Sequence, residues 1–127
     1  MPLLNIFKPD VEKLAAQGDM QSLRKLLSHG DSTIRLKAAR ALADLGPAGI
    51  DILIAALNSN NRREIETAKD GLVSAGAAAV EPLIKTGENL IDSYEISNTL
   101  EKIGKPAIEP MIKTALENSK ASTEWLK

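Results

Sequence analysis

The stretch DSTIRLKAARALADLGPAGIDILIAAL, residues 31–57, predicts two helices joined by a tight turn. The first helix is expected over residues 34–45 and the second over residues 47–57, with Gly46 between them. In the second helix the apolar residues follow the spacing i, i+3, i+4 and i+7, which marks one face of a helix: Ile50, Leu53, Ile54 and Leu57. The stretch therefore predicts a helical hairpin with an apolar face to bury.

This hairpin recurs along the chain. Turn glycines follow one another at intervals of 28, 30 and 28 residues: Gly18, Gly46, Gly76 and Gly104. The segment GAAAVEPLIKT at Gly76 matches GKPAIEPMIKT at Gly104 almost residue for residue. Small residues such as Gly71, five positions before a turn, are expected to let neighbouring helices approach closely. A period near 30 with two helices per unit is typical of an α-solenoid. We therefore predict an all-α fold of about four antiparallel hairpins, roughly eight helices, stacked as a short right-handed superhelix.

One domain is expected, because 127 residues can bury about two-thirds of their unfolded surface. The predicted hairpins occupy residues 8–30, 31–58, 61–90 and 92–118, and residues 119–127 form a tail. Helices are expected to begin with Asp10 as cap or in the first turn, with Asp19 as cap, with one of Asp31, Ser32 and Thr33, and with Asn60 or Asn61. Gly30 is expected to end the second helix. Proline removes a backbone donor, so the helices that carry Pro82 and Pro110 should start late or bend.

Composition narrows the functional classes. The net charge is −1, but residues 1–63 carry +3 and residues 64–127 carry −4. A dedicated duplex-binding protein would show a stronger basic excess. Cysteine is absent, which excludes thiolate metal sites and is compatible with a reducing cytoplasm. No apolar run approaches the ~20 residues of a membrane span.

The sequence offers no catalytic constellation. Its single histidine, His29, stands at a helix end, where a lone imidazole is expected to serve as a helix-end cation. The serines have no neighbouring base, and neither GxGxxG nor a GKS/T loop is present. We expect no enzyme activity, no catalytic residues, no cofactor and no metal.

A charged ridge is predicted on the second helices. The positions five and nine residues after each turn glycine point away from the apolar stripe. In the first hairpin the count is shifted by one residue to allow for its turn. We call the charged residues at these positions the second-helix ridge: Arg24, Asp51, Glu81, Lys85, Glu109 and Lys113. They are the predicted partner-binding residues on a concave face. An alternative is that Glu81–Lys85 and Glu109–Lys113 are ordinary i,i+4 ion pairs that each stabilise a helix by about 0.2–0.5 kcal/mol.

Residues 34–57, IRLKAARALADLGPAGIDILIAAL, resemble the short HEAT-like repeat of the phycocyanobilin-lyase type. AVEPLIKT and AIEPMIKT are similar to the second helix of that repeat, and FKPDVEKLAAQGDMQSLRKLLSHGD resembles the start of small bacterial and archaeal HEAT-repeat proteins. The resemblance implies stacked hairpins and an arginine contact between successive units. The repeat's Ile-Arg pair stands at Ile34-Arg35 but becomes Ile65-Glu66 in the next unit.

The function expected from these features is a non-enzymatic scaffold that binds an unidentified protein or peptide. By resemblance, relatives with such repeats help to attach bilin to phycobiliproteins, so an accessory role of that type is one alternative. Another is binding of a nucleic-acid backbone through the basic first half, which contains Arg24-Lys25, Arg35, Lys37, Arg40 and Arg62-Arg63. The protein is expected to be a monomer or weak homodimer, with its last hairpin capped by the segment that carries Trp125 or by a second copy.

Overall fold

The computed structural model describes residues 9–89, 94–105, 107–109, 112–113 and 116–117. Its helices, numbered in chain order, are α1 Val11–Ala16, α2 Met20–Lys25, α3 Ser32–Asp44, α4 Pro47–Ala56, α5 Arg62–Ala75, α6 Ala77–Asn89 and α7 Tyr94–Ile103, and a 3₁₀ turn, Leu26–Ser28, follows α2. The described residues 105, 107–109, 112–113 and 116–117 are also helical. Within these ranges there is no strand, which confirms the all-α prediction.

Contacts divide the chain into two units, Met1–Ala75 and Gly76–Lys127. In the first unit, α3 is central: it packs against α1, α2, α4 and α5. In the second unit, α6 packs against α7. The boundary coincides with the turn of the third predicted hairpin, and the expectation of a single domain stays a prediction.

Side-chain caps begin α1, α2, α3 and α5, as predicted, whereas α4 follows Gly46 and has no side-chain cap. Asp10 Oδ1 accepts a hydrogen bond from the Lys13 N–H at 3.0 Å, and Asp19 Oδ1 accepts one from the Ser22 N–H at 3.2 Å. The later caps follow the same pattern, with Asp31 Oδ1 2.8 Å from Thr33 N and Asn61 Oδ1 3.0 Å from Arg63 N. Each carboxylate or amide oxygen satisfies a backbone donor that the first turn of a helix leaves unpaired.

The turns also agree with the repeat. All four glycines that define the period, Gly18, Gly46, Gly76 and Gly104, have positive φ, between 61° and 91°. No other described residue has positive φ. Glycine reaches this backbone conformation without a steric penalty from Cβ, so the period in the sequence reflects a requirement of the backbone at each turn.

One helix end differs from the expectation, and of the two effects expected of Pro82 the late start is not seen. Helix α2 ends at Lys25 and tightens into the 3₁₀ turn, with His29 rather than Gly30 at the C-cap. Helix α6 begins at Ala77, five residues before Pro82, so its start is not delayed. The Pro82 carbonyl accepts a hydrogen bond from the Thr86 hydroxyl at 2.8 Å, an arrangement that favours a slight bend. Pro110 lies outside the described residues.

The cores consist of leucine, isoleucine, valine and alanine. The apolar stripe of the quoted stretch is buried on α4, and Leu23 and Leu27 are fully buried in the first hairpin. The repeat positions before the turns are buried as well: Ala38, Leu42, Ala68, Leu72, Ile96, Thr99 and Leu100. Thr99 takes a small-residue position, and its hydroxyl donates to the Glu95 carbonyl at 2.7 Å. The repeated apolar pattern is therefore the buried pattern.

Candidate partner-binding surfaces

The six residues of the second-helix ridge are all exposed. On α4, Asp51 faces solvent although Ile50 and Leu53 on the same helix are buried. Because these neighbours anchor the helix, the direction in which the Asp51 carboxylate projects is fixed by the core. No hydrogen bond or ion pair of Asp51 is present among the described residues, so this carboxylate is free to meet a partner.

The second unit shows the same relationship. On α6, Glu81 and Lys85 are exposed while Val80 and Leu83 are buried. Glu109 and Lys113, in the last helical residues, are exposed too, as is Arg24 on α2. The intrahelical ion pairs Glu81–Lys85 and Glu109–Lys113 stay predictions, and so does the role of the ridge in binding.

A groove that the sequence did not indicate lies between the first helices of the second and third hairpins, α3 and α5. It has a volume of about 290 Å³. Three arginines and two carboxylates contribute to its lining, which consists of Ser32, Arg35, Leu36, Arg62, Arg63, Glu66, Thr67 and Asp70. The groove is therefore a second candidate surface, on helices other than those that carry the ridge.

Much of the polar lining of this groove is engaged within the chain. Arg35 Nη1 donates to the His29 carbonyl at 2.6 Å and to the Gly30 carbonyl at 3.2 Å. This is the arginine contact with the preceding unit that the HEAT-like resemblance implied for Arg35. Arg62 Nη2 lies 2.6 Å from Glu66 Oε1, so two of the three guanidinium groups already have structural roles.

Sequence reasoning missed a buried lysine behind the groove. Lys69 on α5 is only 2% exposed, and its Nζ lies 3.8 Å from Glu66 Oε1. Seven residues before its turn, Lys69 occupies the position that Ala39 holds in the preceding hairpin. The signal was available in that alignment, since Ala39 belongs to the buried face of α3.

The remaining basic residues of the first half bear on the nucleic-acid alternative. Lys37 Nζ lies 3.6 Å from Glu12 Oε1 on α1, and both side chains are largely exposed. Together with Arg35 and Arg62, three of the cations assigned to a possible phosphate-binding surface are held by acceptors in the same unit. This arrangement is typical of a solvated, internally compensated face.

His29 acts as a hydrogen-bond acceptor in the structure. Its Nδ1 accepts the Asp31 N–H at 3.0 Å, which links the end of the first hairpin to the cap of α3. The imidazole thus contributes to the turn before α3, and its role as a helix-end cation stays a prediction. Over the described part of the chain, no group of three His, Cys, Asp or Glu residues could hold a metal ion.

Comparison with known proteins supports the repeat. Residues 34–59 match the family model described as PBS lyase HEAT-like repeat. The match spans α4 and nearly all of α3, which form the second hairpin, and it confirms the resemblance. Residues 34–59 of the chain are thus similar to a HEAT-like repeat, and the helical architecture of the described residues fits the predicted α-solenoid class. Helical repeat modules of this kind are often used for protein interaction.

The wider comparisons add no relative. No curated protein and no solved structure gives a significant match to the chain. Within the described ranges, no helix is long and apolar enough to cross a membrane. The surfaces of the molecule itself must therefore suggest what it binds.

Proposed function

We propose that this protein is a non-enzymatic interaction module that binds a protein or peptide through its second-helix ridge. One observation carries the proposal: every predicted ridge residue is exposed, while buried residues next to them anchor α4 and α6. Charged side chains on anchored helices lose little backbone entropy when they bind, because their positions are already set.

The charges of the ridge define the kind of partner. The ridge contains three acidic residues and three basic ones, so it carries both signs: Asp51, Glu81 and Glu109, and Arg24, Lys85 and Lys113. A partner of mixed charge would match it, and the electrostatic match would give specificity and association rate more than affinity. Asp51 is the first residue to substitute in a test, because its carboxylate has no described partner within the chain.

The proposal is tested by capture of partners from the native cell with the tagged protein and with Asp51→Arg/Glu81→Arg. Captured proteins are identified by mass spectrometry and then titrated against each variant by calorimetry. We expect the double variant to lose at least about tenfold in affinity for the ridge-bound partner, equivalent to about 1.4 kcal/mol. Circular dichroism verifies that both proteins remain folded.

A matched control is available on the first helices. Asp44→Arg/Asp70→Arg makes the same change in charge at two exposed acids of α3 and α5. It should leave the affinity unchanged. Equal binding by the ridge variant and wild type would contradict the proposal. Loss of binding in the control alone would move the site to the groove between α3 and α5, which Asp70 lines.

An accessory role in bilin attachment and binding of nucleic acid make different predictions. A bilin-related protein should shift the absorption spectrum of added phycocyanobilin. A protein that binds the phosphate backbone should retard DNA or RNA at low salt and release it steeply as salt rises. The internal partners of Arg35, Lys37 and Arg62 favour protein binding over the nucleic-acid alternative.

A further inference from the structure

An apolar stripe is exposed in the last helical residues of the second unit. Ile108, Ile112 and Leu116 are 54%, 56% and 59% exposed. They are four residues apart, a spacing that places them on one face of a helix. Three large aliphatic side chains in one row are a feature that soluble proteins usually cover.

The repeat shows what normally happens to these positions. Ile108 and Ile112 lie four and eight residues after Gly104, and their equivalents after Gly46 are Ile50 and Ile54. Those two are 3% and 6% exposed, on α4, which packs against α3 and α5. In the second hairpin, neighbouring helices therefore cover the two repeat positions that Ile108 and Ile112 occupy in the last one.

Charges along the edge of the stripe indicate which helix could cover it. Lys105, Glu109, Lys113 and Glu117 are all exposed, are spaced four residues apart, and alternate in sign. When this row is paired with its own copy in the opposite direction, Lys105 meets Glu117 and Glu109 meets Lys113. The row is therefore complementary to itself in an antiparallel pair, whereas a parallel pair would oppose like charges.

The apolar stripe has the same symmetry. Antiparallel pairing of Ile108, Ile112 and Leu116 with a second copy centres on residue 112, and pairing of the charged row centres on residue 111. Moving the centre by one residue displaces the two helices relative to each other by about 3 Å, two residues at about 1.5 Å each, a distance that flexible Lys and Glu side chains can span. In an antiparallel helix pair, the row at one side of the seam meets the same row of the other copy, so both patterns are satisfied together.

We infer that these residues form an isologous homodimer contact between two copies of this chain, with the last helical residues antiparallel across a two-fold axis. The stripe supplies the buried centre, and the Lys-Glu row supplies direction and register. This contact goes beyond the proposed function. It would cover Glu109 and Lys113 and leave Arg24, Asp51, Glu81 and Lys85 for a different partner.

The test is sedimentation equilibrium of the full 127-residue chain at low salt over a range of concentrations. The wild type should show a reversible monomer–dimer equilibrium. Ile112→Asp is present in both copies, so a tenfold loss per copy weakens dimerisation by about 100-fold. A wild type that remains monomeric at every concentration would overturn the inference, whether the stripe is then covered by another segment of the chain or left open.

Two double variants with the same amino-acid composition test whether the charged rows of the two copies pair in antiparallel orientation. Lys105→Glu/Glu117→Lys gives the order Glu-Glu-Lys-Lys, which still opposes unlike charges in an antiparallel pair. Lys105→Glu/Glu109→Lys gives Glu-Lys-Lys-Glu, which opposes like charges at every position. We expect the first variant to dimerise as the wild type does and the second at least about tenfold more weakly. Equal dimerisation by both variants would refute the proposed orientation, even if a dimer forms.

The dimerisation test and the test of the proposed function can fail independently. Asp51→Arg/Glu81→Arg leaves the stripe and its charged row intact, so it should dimerise normally. Circular dichroism of each dimer variant shows whether a weaker dimer reflects lost contacts or lost structure.

Discussion

Gly49 of α4 lies against the backbone carbonyl of Leu42 in α3, so closely that a Cβ at residue 49 would overlap the Leu42 oxygen. The equivalent positions after Gly76 and Gly104 hold Ala79 and Ala107, which are buried. The second hairpin is thus closed by a contact with backbone, which cannot rotate away as a flexible side chain could.

We predict that Gly49→Ala destabilises the protein despite the higher helix propensity of alanine. Overpacking costs about 1–3 kcal/mol, and the propensity gain of about 1 kcal/mol offsets only part of it. Urea unfolding followed by circular dichroism measures the change. Gly30→Ala is the control, because a Cβ there meets nothing within 4 Å. Equal stability of the two variants would contradict the close approach.

The hydrogen bonds of Arg35 to the His29 and Gly30 carbonyls predict that Arg35→Ala lowers the free energy of unfolding by about 1–2 kcal/mol. Arg35→Lys should recover little of this loss, since an ammonium group lacks the fixed geometry of a guanidinium group. Arg40→Ala, an exposed arginine on the same helix, should change stability by less than about 0.5 kcal/mol. Chemical denaturation of the three variants compares them directly, and a fully stable Arg35→Lys would show that charge alone suffices.

The burial of Lys69 predicts an asymmetry between two substitutions. Glu66→Ala removes a carboxylate from a buried ammonium and should destabilise by about 1–2 kcal/mol, below the value for a fully buried pair because Glu66 is half-exposed. Lys69→Met replaces the ammonium with an apolar side chain of similar length and should be closer to neutral. Thermal unfolding measures both. A larger loss in Lys69→Met than in Glu66→Ala would show that the lysine is stabilising in itself.

The Asp19 cap predicts a pH dependence. The Ser22 hydroxyl donates to Asp19 Oδ2 at 2.7 Å and the Ser22 N–H donates to Oδ1, and these bonds lower the pKa of Asp19 below its ordinary value. The ionised cap therefore stabilises the fold above the unfolded pKa of about 3.9. That stability is lost as the pH falls through the lower, folded pKa.

Asp19→Asn keeps a capping oxygen but removes this titration. Its unfolding midpoint should fall less steeply than that of the wild type as the pH decreases below about 4. Asp44→Asn, at an exposed acid near the end of α3, controls for the change in net charge. Identical pH profiles for Asp19→Asn and wild type would contradict a role for the ionised cap.

Local features of the fold could be predicted because their causes are local. Asp31 caps α3 through its own side chain, and Gly46 turns the chain through its own φ. Exposure of Asp51 followed from helical phase. The expectation that small residues permit close helix packing is confirmed at Gly71, where a Cβ would lie 2.9 Å from the Ala39 Cβ.

Features that depend on neighbouring helices could not be predicted in the same way. The groove between α3 and α5 results from how far apart those helices stand, a distance that no single helix encodes. The burial of Lys69 likewise depends on the helix opposite. For the stripe at Ile108, the sequence shows a repeat position that is buried in the second hairpin, but its exposure emerged only from the structure.

The pairing of Gly71 with Ala39 and Leu53 sets a limit on recombination of this protein. A tandem duplication that replaced the third hairpin with a second copy of the preceding one would bring Ala41 to the place of Gly71 and Ala39 to the place of Lys69. An extra methyl would then enter a contact that has no space for it, and Leu36 and Ala39 would take the places of the ion-paired Glu66 and Lys69. The hairpins share one repeat pattern, but each packs against specific residues of its neighbours. A hairpin can therefore be exchanged only together with the residues that it contacts.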